Sequence, residues 1–231
     1  SANFKSVPNP HFSKKADNKQ PKWIRFHTGY HDYLKEERWF ADARGIKYNS
    51  IKKKLIEVFK THKDYELFAT GHSLGGALST IFSFFITSED DSVNIPKTVT
   101  LISFACPLAV GDSEWQKAFQ YLEKDGIVRH LRVQVVGDPV PMVTSHPPFS
   151  LRQFKWTGIN MKLYDDNTPP ELKHSYHMDT RTGDLRDYNI EFHQLHTHFK
   201  RLDQVEADLK GRQLTDLYQD REILGDFYAF E

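Results

Sequence analysis

The sequence predicts an α/β fold with a mostly parallel central sheet flanked by helices. Segments of strand and helix character alternate from residue 66 to 141, in the order strand, helix, strand, helix, strand. That order is the signature of crossover connections within one parallel sheet. The second observation is local. A serine between glycines, "GHSLGG" at residues 71–76, stands where the first of these strands meets the first of these helices.

Residues 1–22 are polar and irregular, with Pro8, Pro10 and Pro21, and read as a loop or arm. Trp23–Phe26 is a short strand candidate, stopped by "HTGY". From Lys47 to Thr61, Ile51, Leu55, Ile56, Val58 and Phe59 recur at helical spacing, with Lys52–Lys54 expected on a solvated face. A strand at Glu66–Thr70 leads into the serine, and a helix is expected from Gly75 to Thr87. "KTVTLISFACP" (97–107) is rich in β-branched residues and reads as a buried strand. Asp112 is a cap candidate for an amphipathic helix carrying Trp115, Phe119 and Leu122. "IVRHLRVQVVGDPVP" (127–141) is a strand ending at an aspartate, and "FKWTGINMKLY" (154–164) is expected at a sheet edge. A helix from His193 to about Lys210 closes the domain, assigned to 23–210, with 211–231 as a tail.

At 231 residues and 39% hydrophobic content, the chain supports one domain with a substantial core. Lys plus Arg and Asp plus Glu each total 31, so nothing in the charge favours nucleic acid or an anionic membrane surface as partner. The single cysteine, Cys106, excludes an intramolecular disulfide and mildly favours a reducing compartment. No apolar run reaches membrane-spanning length. The chain begins at Ser1 without a signal-peptide pattern, which raises the expectation of a fragment or processed form.

A serine hydroxyl is a poor nucleophile until a base takes its proton. A sharp strand-to-helix turn projects it, and the crowding of such a turn calls for glycine two positions to either side, here Gly71 and Gly75, with His72 completing the elbow. The helix that follows aims its first N–H groups at the site, and the amide of Leu74 is the natural oxyanion donor. Ser73 then needs an acid and a histidine downstream. Asp138 closes a strand, where sites in parallel sheets form. Asp112 reads as a cap, and Asp165 and Asp166 lie in a polar turn. For the histidine, His174, His177, His193, His196 and His198 all remain candidates.

"TGHSLGGALS" resembles the nucleophile motif of the class 3 lipases, a family of α/β-hydrolases. "IRFHTGYHDYL", "LISFACPLAVGD" and "VVGDPVPMVTSHPPF" resemble further segments of that family, in the same order, from about Phe26 to Phe199. The resemblance implies an α/β-hydrolase fold with Ser73 as nucleophile, Asp138 as triad acid and His193, in "HQLHTHF", as the base, His174 being the runner-up. It implies a serine hydrolase acting on acylglycerols or other lipid esters at a transiently contacted lipid interface, with no metal or organic cofactor. Phospholipase A1, galactolipase and feruloyl esterase specificities stay open within it. Three positions depart from the pattern: Cys106 replaces a usual serine, Leu108 a usual arginine, and Trp156 lies near a usual histidine. The family's second oxyanion donor sits on a strand upstream of a lid segment that "SANFKSVPNPHF" resembles, so the earliest strands and that donor are expected to be missing here. Removing one such donor lowers rate by about 10²–10³-fold. The alternative is therefore an inactive lipase-like domain that binds lipid or a partner.

Overall fold

The computed structural model describes residues 4–10, 21–40, 43–89, 94–108, 110–145, 154–165, 167–175 and 188–229. Two small antiparallel pairs come first. β1 (Phe4–Pro8) pairs with β2 (Trp23–His27), and β3 (Glu37–Phe40) pairs with β4 (Ala43–Ile46). β1 falls inside the stretch expected to be irregular. It forms because β2 buries Ile24 and Phe26 and offers its backbone as a template, a tertiary effect that overrides local polarity. Helices α1 (Thr28–Lys35) and α2 (Lys47–Thr61) flank the second pair.

The main sheet contains β5 (Leu67–His72), β6 (Val99–Phe104), β7 (Val128–Val135), β8 (Ile159–Leu163) and β9 (Glu171–His174), in that spatial order. β5 to β8 run parallel and β9 is antiparallel to β8. β8 is therefore interior, not the edge strand expected from "FKWTGINMKLY". The reason is β9, whose "ELKH" carries too little apolar pattern to be recognised before β8 is there to pair with it.

Helices α3 (Leu74–Ser88) and α4 (Ser113–Lys124) cover one face of this sheet. α3 is apolar nearly all round because it is buried, with Ala77, Ile81, Phe84, Phe85 and Ile86 in the core. Thr80 donates back to the Gly76 carbonyl at 2.7 Å, which satisfies its hydroxyl inside that core. At the start of α4, Asp112 accepts from the Trp115 amide at 2.9 Å and from Arg25 Nε at 2.7 Å, so the expected cap also ties α4 to β2. Helix α5 (Leu195–Gln204) packs on the opposite face, where Val133, Val135, Met161 and Leu163 form a separate cluster.

The stretch expected to be a tail is part of the body. After the short α6 (Glu206–Leu209), α7 (Leu214–Leu217) and α8 (Arg221–Leu224) bury Leu217, Tyr218, Ile223, Leu224 and Phe227 against Ile159. The Tyr218 hydroxyl donates to buried Glu123 and accepts from the His130 amide at 2.9 Å. Single apolar residues among many charges give no helical period, so only the docked partner surface reveals them. Among the described residues no helix is long and apolar enough to cross a membrane.

The lysine triplet of α2 also departs from expectation. Lys53 and Lys54 are exposed, but Lys52 is buried and donates to Glu89 at 2.6 Å. Glu89, the C-cap of α3, also accepts from Lys35 at 2.8 Å and Tyr48 at 2.7 Å, so one carboxylate joins three helices. Burial raises the Glu89 pKa, but the three donors outweigh it and hold the carboxyl below its ordinary 4.5. The stabilisation is complete above that value and is lost as pH falls through the lower folded-state value. We expect Glu89→Gln to lower stability by about 2 kcal/mol at neutral pH. Denaturant titrations well below pH 4.5 should show the two proteins converging.

Candidate active site

The turn between β5 and α3 lifts Ser73 out of the backbone. Its φ of 54° and ψ of −125° lie in a region that side chains other than glycine rarely adopt. Two contacts hold it there. The Ser73 amide donates to the Phe104 carbonyl at 2.9 Å, extending the β5–β6 ladder by one residue. Its own carbonyl accepts from the Gly76 amide at 2.9 Å, starting the helix. The flanking glycines differ in role. A Cβ on Gly71 would stand 2.2 Å from the Gly75 carbonyl oxygen, and one on Gly76 would stand 3.0 Å from the Cys106 Cβ. A Cβ on Gly75 would meet nothing within 4 Å. The crowding expected on both sides of the serine thus falls on Gly71 and Gly76; what Gly75 contributes sterically is the backbone that crowds Gly71.

Asp138 follows β7, after a Gly137 whose φ is 88°. The side chain is buried. Its Oδ1 accepts from the Val140 amide at 2.9 Å, and its Oδ2 faces His193 Nδ1 at 3.1 Å. His193 ends a short 3-10 turn, Ile190–His193, capped by the Asn189 side chain. The Asn189 amide donates to the Gly137 carbonyl at 3.0 Å, which brings that turn over the end of β7. His193 Nε2 then lies 2.9 Å from Ser73 Oγ. Because the carboxylate accepts, Nδ1 carries the proton, and Nε2 is free to accept from the serine hydroxyl.

Two further histidines surround His193. His72 Nε2 donates to the His193 carbonyl at 2.7 Å, and the rings lie 4.6 Å apart. The carbonyl partner fixes the proton on Nε2 of His72. His198 is buried and packs edge-on against His72 and Phe104. Burial lowers its pKa and keeps it neutral, with the Gln194 carbonyl and Asp138 opposing that shift. Sequence reasoning placed His72 only as part of the elbow and left His198 among the undecided candidates. The hydrogen bonds from Val140 and Asn189 were missed, although the turn residues "GDPV" and "YNIE" signal such caps.

The other candidates lie elsewhere. His174 is fully buried, 3.5 Å from Glu123 and packed at a tilt against Phe227 with ring centroids 4.0 Å apart, in the C-terminal packing rather than beside Ser73. His196 is exposed, Asp112 caps α4, and His177 and Asp166 lie outside the described residues. Leu74 opens α3, so its amide is among the first-turn donors that lack an intrahelical acceptor, and its side chain is 48% exposed. Ile190 and Leu195, either side of His193 in the chain, are exposed as well. Cys106 is buried, and burial pushes its thiol up to about 12, with Arg132 opposing, so it is an inert apolar group at neutral pH. Leu108 is buried too, and Trp156 stacks on the Arg132 guanidinium at 3.5 Å. Among the described residues no group of three or more His, Cys, Asp or Glu is placed to hold a metal ion.

Residues 4–147 match the family described as lipase (class 3). Among curated proteins, phospholipase A1-II 4 of Oryza sativa subsp. japonica is 32% identical over 121 residues, covering 52% of this chain and 28% of that protein. Phospholipase A1-II 3 of the same subspecies is 32% identical over 124 residues, covering 52% and 27%. This chain thus spans under a third of the curated relatives it matches. Among solved structures, Rhizomucor miehei triacylglyceride lipase superposes with a TM-score of 0.52 at 20% identity, covering 84% of this chain and 63% of that one. A mutant form of MDLA from Penicillium cyclopium gives 0.54 at 20% identity, covering 84% and 62%. At that identity the likeness carries the fold, which is the α/β-hydrolase fold.

The asymmetry of the two glycines is testable. Gly71→Ala forces a Cβ into backbone that cannot yield and should cost about 3 kcal/mol or more. Gly75→Ala meets open space within a helix and should be neutral or stabilising by roughly 0.5 kcal/mol. Thermal unfolding of the two variants checks both expectations.

Proposed function

The chain belongs to the class 3 lipase family, and on that premise we propose that it hydrolyses carboxylic esters of acylglycerols or phospholipids through an acyl-enzyme on Ser73. One observation carries the reading: the hydrogen-bond chain from Ser73 Oγ to His193 Nε2 at 2.9 Å and from His193 Nδ1 to Asp138 at 3.1 Å. The names of the rice relatives support lipid esters as the substrate class.

In this mechanism Ser73 Oγ attacks the ester carbonyl while His193 Nε2 takes its proton. The buried Asp138 carboxylate stabilises the imidazolium that forms and holds the ring in the tautomer that can accept. Negative charge developing on the carbonyl oxygen is met by the Leu74 amide, backed by the dipole of α3. The tetrahedral intermediate collapses, and the leaving alcohol takes the proton from His193. Water, deprotonated in turn by His193, attacks the acyl-enzyme and releases the fatty acid. His72 acts as a positioning residue, because its hydrogen bond to the His193 carbonyl fixes the backbone from which the imidazole projects. The exposed side chains of Leu74, Ile190 and Leu195 would meet the lipid surface.

Hydrolysis of a short-chain p-nitrophenyl ester tests the proposal. Ser73→Ala and His193→Ala should each reduce kcat by at least about 10³-fold, since triad members act as a unit. His174→Ala should keep turnover per folded molecule near that of the wild type. Equal rates in wild type and Ser73→Ala would remove the hydrolase reading and leave the lipid-binding module.

A further inference from the structure

Beside Asp138 lies a concavity that the proposed hydrolytic mechanism does not use. It is a cavity of about 410 Å³ at the carboxyl ends of β7 and β8. Asp138 contributes to its wall, but Ser73, Leu74 and His193 do not line it. Its volume is in the range of small-molecule sites. Val136, Met142, Tyr164 and Phe192 supply apolar surface, and Arg201 of α5 supplies a cation.

Arg201 is the unusual member. It is only 5% exposed, yet among the described residues its guanidinium makes a single long hydrogen bond, to the Leu163 carbonyl at 3.4 Å, and rests over the Phe192 ring at 4.7 Å. Its other N–H donors reach no protein acceptor among the described residues and open on the cavity that Arg201 lines. Burial lowers the Arg201 pKa, with Asp165 opposing the shift through space and without an ion pair. The other cation in the wall, Lys162, is already engaged by Glu171 at 3.1 Å. Asp138 is satisfied by His193 and the Val140 amide. Arg201 offers one cation, and the Asp138 and Asp165 carboxylates in the same wall repel a doubly charged phosphate more than a single negative charge. A planar guanidinium fork matches a carboxylate in two-point geometry, and the apolar wall suits a hydrocarbon chain.

We propose that this cavity binds an amphipathic monocarboxylate, a medium-chain fatty acid in chemical class, with the carboxylate on Arg201 and the chain along Val136, Met142 and Phe192. The source of the ligand rests on the hydrolase reading, since a fatty acid is the product that reading releases. The site itself does not rest on it. Occupancy would place product against the outer wall of the triad acid, apart from the catalytic serine.

Isothermal titration of octanoate, below micelle-forming concentrations, into Ser73→Ala protein tests this without turnover. Binding and hydrolysis then fail or succeed separately. Saturable uptake of a single molecule is expected, weakened by at least about tenfold in Arg201→Gln on the Ser73→Ala background. Met142→Trp, which fills the cavity and leaves Arg201 in place, should weaken it comparably and decides the matter if Arg201→Gln does not fold. Octanol and inorganic phosphate should each bind at least about tenfold more weakly than octanoate. Absence of saturable binding would overturn the proposal. So would octanoate affinity unchanged in both variants, or octanol or phosphate binding as tightly as octanoate.

Discussion

The approach of α3 to β5 governs the rest of the site. The Gly75 carbonyl oxygen lies 2.2 Å from where a Cβ on Gly71 would stand, so α3 can begin immediately after Ser73 only because Gly71 has none. That proximity forces Ser73 to a φ of 54°, a conformation that costs on the order of 1–3 kcal/mol. The strain is tolerated because neighbours over-determine it. The Ser73 amide stays in the β5–β6 ladder, its carbonyl starts α3, and Gly76 seats the helix against Cys106. Each of these contacts is backbone or small side chain, so the serine is placed by the sheet and not by its own packing.

The two side chains proposed to complete the triad are placed by the same sheet at a greater distance. β7 ends in a turn that buries Asp138, and the Gly137 carbonyl at that turn receives the Asn189 amide. His193 is therefore held in place by two hydrogen bonds, one from the Asn189 amide to the Gly137 carbonyl and one from the His72 side chain to the His193 carbonyl. Ser73 and Asp138 follow the ends of strands β5 and β7, while His193 is carried by a turn clamped to both. Side-chain conformational entropy is thus spent during folding and not during binding, which is the condition for efficient positioning.

Much of this was legible in the sequence, for reasons that can be separated. The elbow, the strands β6 and β7 and the helices α2 and α3 announce themselves through local pattern: β-branched runs, helical periods and a glycine at a position of close approach. The position of Asp138 was legible because a strand pattern running into Gly-Asp-Pro puts that aspartate at the sheet's carboxyl edge. For the histidine the residues alone leave five candidates in one region; the family resemblance points to His193, and tertiary contact separates it from a buried packing histidine such as His174. The misreadings share one physical cause. β1, β9 and the packed helices α7 and α8 have weak local signals and exist through partners distant in sequence. Lys52 looked solvated because Glu89, its acceptor, is 37 residues away. Gly75 looked sterically obligatory because a motif names residues and not the atoms that meet.

The central claim is that Ser73 is an activated nucleophile, made so by His193 and presented by the elbow. Covalent labelling with a serine-directed organophosphate ester, followed by peptide mass analysis, tests it most directly. The account predicts a single phosphorylated peptide containing Ser73, formed in the folded wild type and suppressed in His193→Ala. Labelling spread over several serines, or an unmodified Ser73 in folded wild-type protein, would contradict it.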